Sequence, residues 1–243
     1  MKHVLITGAS RGIGFEIAHL LLQNKFRVTG TSTKGKFSEV LNSSSNFDGL
    51  KADQSREGDL ISTIKPVIEK DCPDVLINNA GIFHNADFAS DDNHWLDVWD
   101  KTMMVNLRSS SLITKWFINK HVQNGSEGII INIASRAAYR GDKQEYAAYA
   151  ASKGGMVAFT KSIARGFSRK GIVAYSIAPG FVETDMAKES ISVLGEAHLT
   201  KDSAFDKMTQ PDEIARLCLF LAGGNVKHMS GSTFHINGGS YMI

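Results

Sequence analysis

Short apolar runs alternate with longer amphipathic stretches from one end of this chain to the other. His3-Val4-Leu5-Ile6-Thr7 is brief and rich in β-branched residues, as a strand would be, whereas Phe15 to Leu22 has the spacing of a helix packed on one side. Phe26 to Thr31 predicts a second strand. Leu50-Lys51-Ala52 predicts a short third one, entered from the polar run Asn42 to Asn46. A helix is expected over Glu57 to Lys70 and a fourth strand over Asp74-Val75-Leu76-Ile77. A long helical stretch from about Asn93 to Val122 carries Trp95, Trp99, Met103, Leu107 and Leu112, which read as core-packing residues. Gly128 to Ile133 is almost unbroken apolar sequence, as expected of a strand covered on both faces. Tyr146 to Arg169 reads as a helix, Ile172 to Ala178 as a strand, Gln210 to Ala222 as a helix with Pro211 in its first turn, and Ser232 to Ile236 as the last strand. This alternation predicts an α/β fold, a single domain over 1–243 with about seven parallel strands, doubly wound, and helices on both faces. The one long excursion without a strand, Glu183 to Thr209, follows a strand end, so a substrate lid is expected near 185–210.

Composition narrows the function classes. Hydrophobic residues make up 42% of the 243 positions and charged residues 21%, enough for a sizeable core in a folded chain. A formal net charge of +2 provides no electrostatic reason for a nucleic-acid or membrane partner. Cys72 and Cys218 are the only cysteines and form no Cys-x-x-Cys, so neither a disulfide framework nor a metal site is suggested. No apolar run reaches about 18 residues, and the first residues lead straight into a strand pattern, so a cytoplasmic enzyme is the expectation.

Two stretches carry chemistry. The first is Thr7-Gly8-Ala9-Ser10-Arg11-Gly12-Ile13-Gly14. Gly8 permits a tight turn off the first strand, and Gly12 and Gly14 let backbone and a helix N-terminus approach a pyrophosphate whose charge the helix dipole favours. The spacing is not a literal Gly-x-Gly-x-x-Gly, but the context of strand before and helix after is met, which points to a Rossmann-type dinucleotide site. Between Glu16 and Glu39 there is no acidic residue to take ribose hydroxyls. The second strand instead runs into Thr31-Ser32-Thr33-Lys34, so an extra 2′-phosphate would meet hydroxyls and Lys34, with Arg11 nearby. That favours NADPH (NADP+), although Lys34 and Lys36 also suit an ordinary solvated loop. The second stretch is Tyr149-Ala150-Ala151-Ser152-Lys153. On a helix, Tyr149 and Lys153 share a face, and an ammonium beside a phenol lowers the phenol's pKa toward working pH, making it a general acid or base. Alone, that spacing is common on solvated helices.

The chain resembles the short-chain dehydrogenase/reductases along nearly its whole length. The resemblance rests on the glycine turn, on Asn78-Asn79-Ala80-Gly81 after the fourth strand, on Ser135 ahead of Tyr149 and Lys153, and on Pro179-Gly180-Phe181-Val182-Glu183-Thr184. Asn106 in Val105-Asn106-Leu107 matches a fourth catalytic position of that family. Within it the chain looks most like 3-oxoacyl-[acyl-carrier-protein] reductases, through Arg11 in the turn, Ala178 to Met186, and the ending His235-Ile236-Asn237-Gly238-Gly239-Ser240-Tyr241-Met242. The resemblance implies hydride transfer from NADPH to a carbonyl carbon. Tyr149 would protonate the carbonyl oxygen and Ser135 would hydrogen-bond it. Lys153 would acidify the phenol and hold the nicotinamide ribose, and Asn106 would support a water leading from Lys153 to solvent. It also implies cofactor contacts at Gly8, Ser10, Arg11, Gly12, Ile13, Gly14, Thr33, Asp53, Gln54, Asn79, Ala80, Gly81, Pro179, Gly180, Val182 and Thr184, as well as at Tyr149 and Lys153. A homotetramer is implied too, with interfaces on the helices around Trp99 to Trp116 and Phe159 to Phe167. Blander roles exist for some of these residues: a strand cap for Ser135, a helix cap for Asp53, a helix-to-strand bond for Asn106. Tyr146 has alanine four residues on and lacks a lysine partner.

The chain departs from the carrier-protein reductases in two places. Fourteen positions separate Ser135 from Tyr149, about one more than expected, and the intervening Arg136 to Glu145 is unusually charged. Arg165, Arg169 and Lys170, with Lys120, suit an acidic carrier protein, but the turn Gln123 to Gly128 has no positive charge. Arg136 or Arg140 would alternatively pair with a carboxylate on a small substrate, although solvated loop charges are the commoner explanation. The leading expectation is NADPH-dependent reduction of a 3-oxoacyl thioester, carrier-bound or small. The alternatives are an alcohol dehydrogenase acting on a sugar, a steroid or another small alcohol, and a catalytically silent cofactor-binding sensor.

Overall fold

The structure is a computed structural model that describes residues 1–184 and 200–242. Seven parallel strands form one sheet in the order β3-β2-β1-β4-β5-β6-β7. They are β1 (His3–Ile6), β2 (Arg27–Ser32), β3 (Phe47–Lys51), β4 (Val75–Asn78), β5 (Gly128–Ile133), β6 (Ile172–Pro179) and β7 (Thr233–Ile236). Every residue of β1, β4, β5 and β6 is buried, which is why these runs are nearly continuous apolar sequence. Alternate side chains serve opposite faces. Val4 and Ile6, with Val75, Ile77, Ile131 and Tyr175, meet Ile17 and Leu21 of α1 (Gly12–Gln23) and Ile214, Cys218 and Leu221 of a C-terminal helix, Pro211–Ala222. Leu5, Leu76, Ile130 and Ala174 face the other way, onto Leu60, Ile64, Ile113, Phe117 and Ile163. The strand order reverses between β1 and β4, and such a switch point leaves a crevice at the carboxyl ends of the strands.

Several expected elements change shape. β3 begins earlier than Leu50, at Phe47, and takes in Asp48 and Gly49, two poor strand formers that hide it in the sequence. Gly49 is needed there, because a Cβ would come 2.6 Å from the Phe37 ring. Helix α2 (Glu39–Asn42) is a single turn ahead of β3, and the helix expected over Glu57 to Lys70 is three pieces, α3 (Glu57–Asp59), a π-turn over Leu60–Ile64 and α4 (Lys65–Asp71). Pro66 lies just after the widened turn and lacks the N–H that a regular helix would use.

The long helix likewise divides into α5 (Asp92–Met103), a π-turn over Met104–Arg108, and α6 (Ser109–Asn124). Trp95, Trp99, Met103, Leu107 and Leu112 are half-buried rather than central. The interior positions are Val98, Val105, Ile113, Phe117 and Ile118. Trp95 and Trp99 stack on each other with ring centroids 5.0 Å apart, and the exposed Phe88 ring lies 6.1 Å from Trp95.

After α7 (Ala137–Arg140), the helix expected over Tyr146 to Arg169 is α8 (Ala147–Phe167), with a 3-10 turn at each end. The last helix, α9 (Pro211–Ala222), starts on a capping box in which the Gln210 N–H donates to Glu213 Oε2 at 2.7 Å. Residues 185–199 of the expected lid lie outside the described residues. The far end of that segment is tied back to the sheet edge, where Val182 and Thr209 form a parallel bridge and the Glu183 N–H donates to the Thr209 carbonyl at 3.0 Å.

Candidate active site

A cavity of about 610 Å³ opens at the switch point. One end is built from backbone. Gly8 and Gly12 hold φ of +71° and +55°, the left-handed region that glycine enters freely. A Cβ on Gly14 would collide with the Gly8 carbonyl oxygen. Asn79 Nδ2 donates to the Thr7 and Gly8 carbonyls at 3.0 and 2.9 Å, and the Thr7 hydroxyl accepts from the Asn79 N–H at 3.0 Å. Asn79, read from sequence as a cofactor contact, therefore also locks the turn in place. The first N–H groups of α1 have no partner within the helix, and Ser10, Arg11, Gly12 and Ile13 around them line the cavity.

The side expected from sequence to take adenosine is lined by Ser32, Thr33, Asp53, Gln54 and Ser55. Asp53 accepts from the Ser55 N–H at 2.9 Å and from its hydroxyl at 2.7 Å, a local turn ahead of α3 rather than a cap on that helix, whose N-cap is Arg56, and it lines the wall. Burial raises the Asp53 pKa, but the two Ser55 bonds, with Arg56 and Lys101, outweigh it and leave the group below its ordinary value. Gln54 Oε1 accepts from Ser109 Oγ at 2.6 Å while its buried amide nitrogen has no partner. Lys34 is exposed and does not line the cavity, whereas Arg11 and Thr33 do.

The other end collects the reactive side chains. Ser135 follows β5, and its Oγ accepts from the Ala137 N–H at 3.1 Å. Tyr149 and Lys153 project from the first turns of α8. Lys153 Nζ donates to the Ile133 carbonyl at 2.7 Å and lies 5.7 Å from the Tyr149 ring centre. Asn106, in the π-turn, is fully buried and does not line the cavity. It donates to the Ile82 carbonyl at 3.0 Å and to Ser152 Oγ at 3.1 Å, and accepts from the Ile82 N–H at 2.8 Å. Its oxygen and Lys153 Nζ nonetheless converge on Gly81, where a Cβ would come within 3.4 and 3.5 Å of them.

The electrostatics differ from the expectation that the ammonium acidifies the phenol. Burial pushes Tyr149 up to about 12, with its contact to Ser135 working the other way. Burial also pushes Lys153 down to about 8. Desolvation disfavours both charges, and the ammonium spends its short hydrogen bond on Ile133 rather than on the phenol oxygen.

Reasoning from sequence missed the aromatic wall, whereas it offered Arg136 or Arg140 as a partner for a substrate carboxylate. Phe83 stacks on Tyr146 at 4.0 Å and meets Tyr149 edge-on at 4.8 Å, so Tyr146, set aside as a decoy, packs the ring that packs the donor. Arg136, Arg140, Phe181 and Lys101 also line the cavity.

The short chain dehydrogenase family profile matches residues 2–193. This chain belongs to that family. It is 35% identical over 249 residues to the 3-oxoacyl-[acyl-carrier-protein] reductase of Vibrio harveyi, covering 100% of this chain and 98% of the relative. It is 32% identical over 246 residues to that of Escherichia coli, with the same coverage. Among solved structures, a putative NAD(P)-dependent gluconate 5-dehydrogenase from Beutenbergia cavernae with bound NADP superposes with a TM-score of 0.90 at 25% identity, over 98% of this chain and 96% of that one. A 4-hydroxyisoleucine dehydrogenase complexed with NADH superposes with a TM-score of 0.87 at 25% identity, over 98% of each. The family assignment makes the chain an oxidoreductase acting on CH–OH/C=O. Among the described residues, no helix is long and apolar enough to cross a membrane and no acidic, histidine or cysteine cluster suits a metal ion.

Proposed function

We propose that the chain reduces a 3-oxoacyl thioester to the 3-hydroxyacyl form with NADPH, with Tyr149 as the proton donor. The observation that carries this reading is the convergence of Ser135, Tyr149 and Lys153 on one cavity whose far end is a glycine cradle. The cofactor fits the residues present. The glycine turn and the α1 N-terminus would take the pyrophosphate, Asp53 and the unpartnered Gln54 nitrogen the adenosine, and Val182 and Thr184 the carboxamide end. Bound NADPH supplies the hydride. A phenol pushed up to about 12 keeps its proton at neutral pH, which is the form a reduction needs. Ser135 orients the carbonyl oxygen as charge develops, and Lys153, titrating near 8, exchanges protons with the region around Gly81 that Asn106 frames.

The preference for NADPH rests on Arg11, Ser32 and Thr33 in the wall at the end of β2, a stretch without a carboxylate. The relatives named as carrier-protein reductases support the substrate class. The basic residues expected to meet a carrier argue differently. Arg165 lies sixteen residues beyond Tyr149, about 24 Å along α8, so Arg165, Arg169 and Lys170 serve this cavity only if a neighbouring subunit presents them. A homotetramer, a single domain with a lid near 185–210, and a soluble location complete the proposal. A small anionic carbonyl is the second reading, favoured by Arg136 in the cavity wall.

The test is loss of reduced-nicotinamide absorbance with acetoacetyl thioester and each cofactor. Turnover with NADPH well above NADH is expected. Turnover with NADH alone overturns the cofactor preference, and cofactor binding without turnover of any carbonyl favours a silent sensor.

A further inference from the structure

Arg136 is only 5% exposed, yet its side chain makes no ion pair and donates no hydrogen bond among the described residues. Its guanidinium lies over the Phe181 ring, 4.7 Å from the centroid, and lines the cavity beside Ser135. A guanidinium stays charged at any pH a protein meets, and a buried charge left unpaired is costly. The neighbouring charges do not resolve it. Arg140 repels it, and Asp142 and Asp202 attract it from beyond ion-pair distance. Asp202 is instead engaged by Arg140 at 3.8 Å. The Arg136 backbone is pinned, its N–H donating to the Pro179 carbonyl at 2.9 Å, so the side chain is presented from a fixed point next to the catalytic serine. The aromatic face beneath leaves the planar fork of donors free at its rim, the geometry that matches a carboxylate.

We propose that Arg136 forms a carboxylate subsite, so that the Tyr149 centre reduces small free oxo acids as well as the thioester. This rests on the reductase reading above. In the reaction, hydride adds to the carbonyl carbon, the proton from Tyr149 completes the hydroxyl, and NADPH leaves as NADP+, while the substrate carboxylate remains ionised on Arg136.

Acetoacetate and its methyl ester present the same carbonyl and differ in charge, so the ratio of their kcat/KM values with NADPH isolates the subsite. The wild-type chain is expected to favour the acid by about 10- to 100-fold, the worth of a charge-assisted bidentate contact. Arg136→Gln should bring that ratio close to one, and Arg136→Lys, which keeps the charge without the fork, should fall between. A wild-type ratio at or below one overturns the subsite even if the variants fail to fold. Calorimetric titration of acetoacetate into the NADP+-loaded protein separates the two readings. No turnover of acetoacetyl thioester, acetoacetate or the ester removes the reductase reading, yet acetoacetate binding that disappears in a folded Arg136→Gln still supports the subsite. Absent binding in the wild type, or binding indifferent to the substitution, overturns it.

Discussion

The two ends of the cavity are made of different material. The end proposed for the dinucleotide is main chain and small residues, with positive-φ glycines at positions 8 and 12 and Asn79 bonded to two carbonyls. The end proposed for the substrate is side chains delivered by separate segments: Phe83 after β4, Arg136 after β5, Tyr149 at the start of α8, and Phe181 after β6. A wall of backbone has one shape and tolerates no added atom. A wall of side chains is set by which residues happen to meet, so it is where members of one fold diverge in substrate.

The sharpest way to test this contrast is at the reacting end. Tyr149→Phe should lower kcat by about 10³-fold while NADPH affinity, followed by nucleotide fluorescence, stays close to wild type. Retained turnover rules out the phenol as the donor.

Lys153 tests the same end through stability. Its folded pKa, about 8, lies below the ordinary 10.5, so the unfolded chain binds the extra proton between those values. Lys153 should therefore contribute stability that rises with pH across that window, by roughly 3 kcal/mol at about 1.4 kcal/mol per unit. The buried Cys218 thiol, pushed up, works the other way from about pH 9, so the wild type should exceed Lys153→Met in slope most clearly between about 8 and 9. Denaturant unfolding at a series of pH values measures it; a wild-type slope no steeper than the variant's would discard the buried, depressed ammonium.

At the other end, Gly14→Ala should cost about 1–3 kcal/mol in thermal or denaturant unfolding and weaken NADPH binding, because the new Cβ meets the Gly8 carbonyl and Asn79 Nδ2. An unchanged variant shows that the cradle is softer than its contacts imply. Gly58, in α3, has nothing within 4 Å of a would-be Cβ. Gly58→Ala should stabilise by about 0.5–1 kcal/mol with no effect on cofactor binding, marking the glycine cost as specific to the cradle.

What could be read directly from the amino-acid order was whatever depends on local rules. Fully buried strands announce themselves as apolar runs, and β5 appears over the residues expected, Gly128 to Ile133. A turn that needs left-handed backbone announces itself as glycine, and a pair sharing a helix face as a four-residue spacing, so Gly8, Gly12, Tyr149 and Lys153 were legible without coordinates. Tertiary structure alone decided the rest, because those properties depend on neighbours distant in the chain. Phe47 to Gly49 became strand only through pairing with β2. Trp95 and Trp99 left the core because Val98 and Val105 occupy the inward face of their helix. The Tyr149 phenol was driven up because the closed chain buries it, while its lysine bonds a carbonyl of β5, and Arg136 came to lie buried over the Phe181 ring without an ion-pair partner among the described residues. Spacing along a chain specifies which groups can meet. Burial and the competition for hydrogen-bond partners, which set their charge, exist only once the chain has closed on itself.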